Sequence, residues 1–261
     1  MNRVSPILRP LITMGGLLFA WWCITRFTGV PSFMLPDPAS VGHAMVAQAP
    51  MLFWSTLTTL SEILLGLIIG TLLGGGLALA MVFSPVLQRW LIPLMLLSQA
   101  VPVFALAPLL VLWFGFGISS KVVMAVLVIF FPITASFFDG LRRTDVGWLD
   151  LARTMDASPW AMLRHVRLMA ALPSFGAGLR VAAAIAPIGA IIGEWVGASA
   201  GLGYVMMNAN ARVQTDVMFA ALLVLAVVTI LLWVIVDRLL KRLLYWVPDT
   251  TAAAAWPRPQ A

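Results

Sequence analysis

Residues 60–83 read LSEILLGLIIGTLLGGGLALAMVF. A helix needs about 20 mainly apolar residues to cross a bilayer. This stretch supplies them with a single ionisable group, Glu62. Gly66, Gly70, Gly74 and Ala78 recur at every fourth position. At 3.6 residues per turn they share one slowly drifting face, and their lack of bulk lets a second helix approach closely. Glu62 heads that row. The device recurs further on, where Gly178, Ala182, Ala186 and Ala190 run at the same spacing and Glu194 follows one turn later. Both glutamates are therefore expected to point into a helix bundle rather than at lipid.

The rest of the chain agrees with a bilayer as its solvent. Of its 261 residues 62% are hydrophobic and 10% charged, whereas soluble domains carry roughly a quarter charged residues. Six apolar stretches are long enough to span, at about 8–27, 56–83, 87–115, 120–140, 172–197 and 216–239. Residues 1–30 are read as an N-terminal segment with an uncleaved first span, and 31–55 as a periplasmic loop opened by Pro31, Pro36 and Pro38. Residues 56–246 form the membrane core, with a polar loop at 141–171, and 247–261 an Ala- and Pro-rich disordered tail. With a cytoplasmic N-terminus, thirteen arginines and lysines fall inside and only Arg26, Lys121 and Arg212 outside. That bias obeys the positive-inside rule and predicts an inner-membrane, multi-pass protein with both termini cytoplasmic. The net charge of +6 thus reports orientation, and no nucleic-acid partner is expected. Cys23 is the sole cysteine, which excludes an intrachain disulfide and argues against a metal cluster.

Ionisable groups inside spans are costly and by default mark function. Glu62 and Glu194 are read in two ways. Each is a structural hydrogen-bonding group, or pairs with a mouth arginine such as Arg26 or Arg212; or they line a solute path and favour a cationic or amine-bearing solute. The third span carries Pro93, Pro102 and Pro108 around Ser98-Gln99. Proline removes an amide donor, and broken backbone at membrane depth survives only in protein or beside a water-filled cavity. Gln99 and Pro102 are therefore candidate pathway residues, against the alternative of a merely kinked packing helix.

The 141–171 loop is amphipathic, with Leu149, Ala152, Met155, Leu163, Trp148 and Trp160 alternating with charged residues. Ser158-Pro159 reads as an N-cap followed by proline at the first helical position. Two short helices hinged near Asp156-Ala157-Ser158 are expected, lying in lipid headgroups or docking on a soluble partner.

The run Asp150-Leu151-Ala152-Arg153-Thr154-Met155-Asp156-Ala157-Ser158, followed by Leu172-Pro173, resembles the EAA loop of type I ABC importer permeases. Asp150 stands at that pattern's Glu, Leu151 and Ala152 at its two alanines, and Asp156 at its Gly. Asp tolerates left-handed backbone better than most residues. Ala107-Pro108-Leu109-Leu110-Val111-Leu112-Trp113-Phe114-Gly115 is similar to a signature of the branch importing nitrate, sulfonates and taurine. Gly193-Glu194-Trp195 through Gly201-Leu202-Gly203-Tyr204 to Gln214-Thr215-Asp216 resembles permeases for thiamine pyrimidine precursors. The resemblance, over about residues 30–246, implies an all-α, MetI-like integral membrane fold of six transmembrane helices with a cytoplasmic coupling-helix loop. It implies ATPase coupling through Asp150, Ala152, Asp156, Ala157, Ser158 and Arg164. It also implies a homodimer, an ABC ATP-binding subunit holding ATP and magnesium, and a periplasmic solute-binding protein docking on 31–55 and 198–215. The solute implied is a hydroxymethylpyrimidine-like precursor or a sulfonate- or nitrate-type molecule.

With only Lys121 and Lys241 as lysines and no Gly-x-x-x-x-Gly-Lys-Ser/Thr, this chain cannot build a phosphate-cradling loop. It is expected to be a translocation subunit and not an enzyme, with no catalytic residue, no metal site and no cofactor of its own. His43 and His165 are expected to be ordinary surface residues. Two rivals stand beside this reading. An ion-gradient-driven secondary transporter would use Glu62 and Glu194, though no inverted repeat is visible; a membrane enzyme or scaffold lacks a clustered set of catalytic groups.

Overall fold

The computed structural model describes residues 8–247, with side chains from residue 12. The helices in this range begin with α1 (Leu8–Phe27), α2 (Pro38–Ala47), α3 (Ala49–Phe83), α4 (Pro85–Ala100) and α5 (Val103–Phe114). It continues with α6 (Ile118–Arg142), α7 (Val146–Thr154), α8 (Pro159–Met162), a π-helical turn at Leu163–Arg167, α9 (Leu168–Gly197), α10 (Leu202–Ala211) and α11 (Thr215–Leu243). No strand occurs among the described residues. The expected disordered tail lies outside them, apart from Val247.

Local chemistry sets the boundaries. Ser84 accepts a hydrogen bond from the Leu87 amide at 3.2 Å and Pro85 follows it, so α3 stops and α4 starts. Gly115, at φ 78°, closes α5. Asp37 caps α2 by accepting from the Ala39 amide, and Trp21 Nε1 of α1 donates to the Pro36 carbonyl at 3.1 Å. Asp216 in the first turn of α11 and Lys241 and Arg242 in the last complement the helix dipole.

Two expectations change. Residues 38–47 and 49–55 are helical, so the loop foreseen at 31–55 is largely structured. The single span foreseen at 87–115 is two helices parted at Val101-Pro102, where Pro102 cannot donate to the α4 ladder and Val101 turns extended. Among the described residues four helices are long and apolar enough to cross a membrane, at Ala49–Phe83, Ile118–Arg142, Pro159–Gly197 and Thr215–Leu243, and five if the broken pair counts as one. Helix α1, Leu8–Phe27, has the bounds of the first span foreseen at 8–27.

Burial in α3 shows what the surrounding solvent must be. Leu65, Ile68, Leu72 and Leu73 are exposed, whereas Glu62, Ile63, Gly66 and Gly70 are buried. Small and ionisable groups inside with leucines outside is the pattern of a helix in lipid.

The chain forms two compact units. One comprises the described residues of Met1–Gly66 with Pro102–Val126 and Ala186–Thr229; the other comprises Leu67–Val101, Leu127–Ile185 and the described residues from Ile230 onward. The first packs Val41, Leu52, Ile191, Leu202, Ala220 and Ala221 in its core. The second packs Met81, Phe130, Phe137, Leu141, Leu163 and Ala171, with Phe137 and Phe175 edge to face at 5.0 Å.

Candidate functional site

In the first unit, close helix contacts place an ionic cluster in the interior. A Cβ added to Gly66 would lie 2.5 Å from Ala125 Cβ, and one on Gly189 2.7 Å from Ala125 Cα. Helices α3 and α9 thus press on α6 at one residue. One helical turn away from Ala125 stands Lys121, from Gly66 Glu62, and from Gly189 Gly193, whose own Cβ would sit 3.0 Å from Lys121. The same tight packing therefore brings together Glu62, Lys121 and Glu194, which are 2%, 3% and 0% exposed.

Each group has a defined set of partners. Lys121 Nζ donates to the carbonyls of Phe116, Gly117 (2.9 Å) and Gly197 (2.8 Å), using its three protons to tie the loop after α5 to the end of α9. Glu194 Oε1 accepts from the Thr59 hydroxyl at 2.6 Å, and Oε2 from the Gly203 amide. The Tyr204 amide also donates to this carboxyl. Thr59 Oγ1 in turn accepts from the Leu202 amide at 2.8 Å. Glu194 and Thr59 thus satisfy the first amides of α10, a helix that begins at Gly201 without a cap from its own segment. The Glu62 carboxyl lies beside that of Glu194 and within electrostatic reach of Lys121, and its Oε2 has no hydrogen-bond partner.

This geometry separates the candidates. Glu194 is fully enclosed by its own chain. Neither glutamate pairs with Arg26 or Arg212, which are exposed; their cationic neighbour is Lys121, one of the three charges that the positive-inside bias leaves outside. A lysine in the first turn of an apolar span, four residues after Gly117, is the signal available for it. Gln99 is exposed on α4, and Pro102 is exposed at the start of α5. Gly70, Gly74, Ala182 and Ala186 are all buried.

In the second unit, α7 and α8 form a hinged pair. Asp145 caps α7 through the Gly147 amide at 2.7 Å, and Ser158 caps α8 through the Ala161 amide at 3.2 Å. Between them Asp156 takes φ 51°, with the Ala157 amide donating to the Ala152 carbonyl and the Asp156 amide to that of Arg153. That is a Schellman closure with Asp at the left-handed position. α8 does not end as a separate short helix but runs through the π-helical turn into α9. Leu149, Ala152 and Leu163 are buried against the chain, and Asp150 pairs with Arg153 at 2.8 Å on the exposed side. Trp148, Leu151, Met155 and Trp160 are each more than half exposed. Asp150, Asp156, Ser158 and Arg164 are exposed too, and Ala157 is half-buried. Trp148, Leu151 and Met155 line an open, mostly apolar groove with Val166, Met169 and Trp246, and Trp160 stacks on Phe83.

The model for binding-protein-dependent transport system inner membrane components matches residues 63–245. The chain belongs to that family. Within it, the permease is 49% identical over 92% of its length, and 98% of the relative's, to a probable ABC transporter permease protein of Haemophilus influenzae. It is 36% identical over 94% of its length, and 98% of the relative's, to the formylaminopyrimidine transport permease protein ThiX of Halalkalibacterium halodurans. Further relatives are named for taurine and for aliphatic sulfonates. Its fold is similar to that of a chain of the MetNI methionine ABC transporter in an inward-facing conformation, with a TM-score of 0.66 at 19% identity over 75% of the permease and 97% of that chain. The permease is thus a membrane translocation subunit of an ABC importer for small solutes, with an all-helical MetI-like fold. Among the described residues no three metal-ligating side chains cluster.

Proposed function

We propose that the permease works as a homodimer whose two α7–α8 hinges dock on two ATP-binding subunits. A periplasmic solute-binding protein delivers a pyrimidine-type thiamine precursor to its outer loops. Magnesium and ATP reside on the partner subunit; this chain contributes coupling and a path. The observation that carries the reading is the outward apolar quartet Trp148, Leu151, Met155 and Trp160 on a hinge tied to the core through buried Leu163. Movement of a docked partner would pass through that tie into α9. The pyrimidine class rests on the likeness to the formylaminopyrimidine permease at 36% identity, with a sulfonate or nitrate as the competing solute. Both termini and the hinge are assigned to the cytoplasm by the positive-inside bias.

The test is gentle purification from native membranes, identification of the accompanying chains, and uptake of labelled pyrimidine and taurine by the reconstituted complex with and without ATP. An ATP-binding chain and ATP-dependent pyrimidine uptake are expected. Uptake that ignores ATP and follows an ion gradient would overturn the reading in favour of a secondary transporter.

A further inference from the structure

A second feature of the first unit is a cavity of about 390 Å³ beside the ionic cluster but separate from it. Its walls are Phe104 from the first turn of α5, Trp195 and Val196 from the last turn of α9, Met206, Met207 and Asn210 from α10, and Met218 from α11. Phe104, Trp195 and Met207 are 56%, 42% and 40% exposed, so they present their faces to the cavity's open side instead of filling a core. We propose that this cavity is a solute subsite of the permease itself, taking a flat, uncharged heteroaromatic ring; the proposal rests on the importer reading above and names the chemistry of its path.

Four observations support it. The volume falls within the roughly 300–1,000 Å³ of small-molecule pockets, and the mostly apolar lining with a single polar group matches their usual make-up. Two aromatic rings and three thioethers offer polarizable faces to a planar π-system. Asn210 supplies one amide, able both to donate and to accept, as the edge of an aminopyrimidine requires. The lining residues carry no charge, so a sulfonate or nitrate would lose its hydration there without a counter-charge. The walls are also held in place. Trp195 directly follows Glu194, whose carboxyl binds the amides of Gly203 and Tyr204. The end of α9 and helix α10, which together carry five of the seven lining residues, are therefore cross-tied before any solute arrives.

The test uses the permease with its ATP-binding partner in lipid nanodiscs and tritiated 4-amino-5-hydroxymethyl-2-methylpyrimidine as probe, with taurine as anionic competitor. Saturable binding is expected, weakened about tenfold by Trp195→Ala, restored to within about threefold by Trp195→Phe, and weakened about fivefold by Asn210→Leu; taurine should not compete. Unchanged thermal denaturation of Trp195→Phe and Asn210→Leu separates loss of binding from misfolding. Absence of binding, binding indifferent to Trp195→Ala, or binding strengthened by Asn210→Leu, the mark of an apolar tail in the slot, would overturn the subsite. ATP-driven uptake with an unchanged KM in all three variants also overturns it while leaving the importer reading intact. Wild-type complex that shows no ATP-driven uptake of any solute defeats the importer reading instead.

Discussion

The carboxyl of Glu194, at the end of α9, accepts the backbone amide of Gly203 at the start of α10. A buried glutamate here does the work of an N-cap, but from another helix. Gly201 makes this possible: at φ 110° it turns the chain over the carboxyl, and a Cβ at that position would collide with the Glu194 side chain. Gly203 is equally confined, its Cβ falling 2.9 Å from Glu194 Oε2.

Gly201→Ala is therefore expected to be far more damaging than Gly117→Ala, a glycine with nothing within 4 Å of its missing Cβ. The first adds both backbone strain, about 1–2 kcal/mol, and a clash; the second should fall within about 0.5 kcal/mol of wild type. Thermal denaturation in detergent reads the difference, and equal melting of the two variants would refute the account.

Lys121→Met should remove the donor for three carbonyls and leave two buried carboxyls without their cationic neighbour. Loss of one partner of a buried ionic group costs about 3–5 kcal/mol. The double variant Lys121→Met with Glu62→Gln should recover part of that loss, because one of the two buried carboxyls left without the lysine is removed with it. Urea or heat denaturation of the single and double variants measures the coupling; strict additivity would show that the two side chains are independent.

Helix packing gives a paired prediction along one class of residue. Gly189→Ala drives a methyl to 2.7 Å from the Ala125 backbone and should lower stability by about 1–3 kcal/mol. Gly76→Ala meets nothing within 4 Å inside a helix and should be neutral or stabilising by up to about 1 kcal/mol. Melting temperatures of the two variants should move in opposite directions or differ in size accordingly.

Two non-glycine residues hold left-handed backbone, Asp156 at φ 51° and Val213 at φ 58°. Val213→Gly should raise stability by about 1 kcal/mol, since a β-branched residue is the least suited to this conformation. Asp156→Gly should leave the hinge folded, while Asp156→Val should destabilise it by about 1–2 kcal/mol. Protease sensitivity of the 145–165 segment checks the second pair.

On the hinge surface, Leu151→Glu and Met155→Glu alter exposed side chains and should leave melting unchanged. They should reduce co-purification of the ATP-binding chain and uptake by tenfold or more if that face docks. Ala152→Glu is a poorer probe, because Ala152 is 8% exposed and packs against its own chain. Wild-type uptake in both surface variants would remove the docking assignment.

What the sequence determined by itself is the solvent and the local chemistry. Apolar runs longer than a bilayer's thickness, fourfold spacing of small residues, the Ser158-Pro159 start and an Asp suited to a left-handed turn are all local signals, set by helical period and backbone sterics. What only the tertiary structure decided is which of those signals meet. Lys121 looked like a loop charge because its carbonyl partners are at Gly197, 76 residues away, as well as nearby. Glu194 reads from sequence either as a structural hydrogen-bonding group or as a pathway group, because nothing there shows that Thr59, 135 positions earlier, donates to it. The break at Val101-Pro102 was visible as prolines but not as the end of a helix, since proline alone kinks or terminates depending on what packs around it. Partner choice for a buried polar group depends on long-range packing, and spacing along the chain carries no record of that.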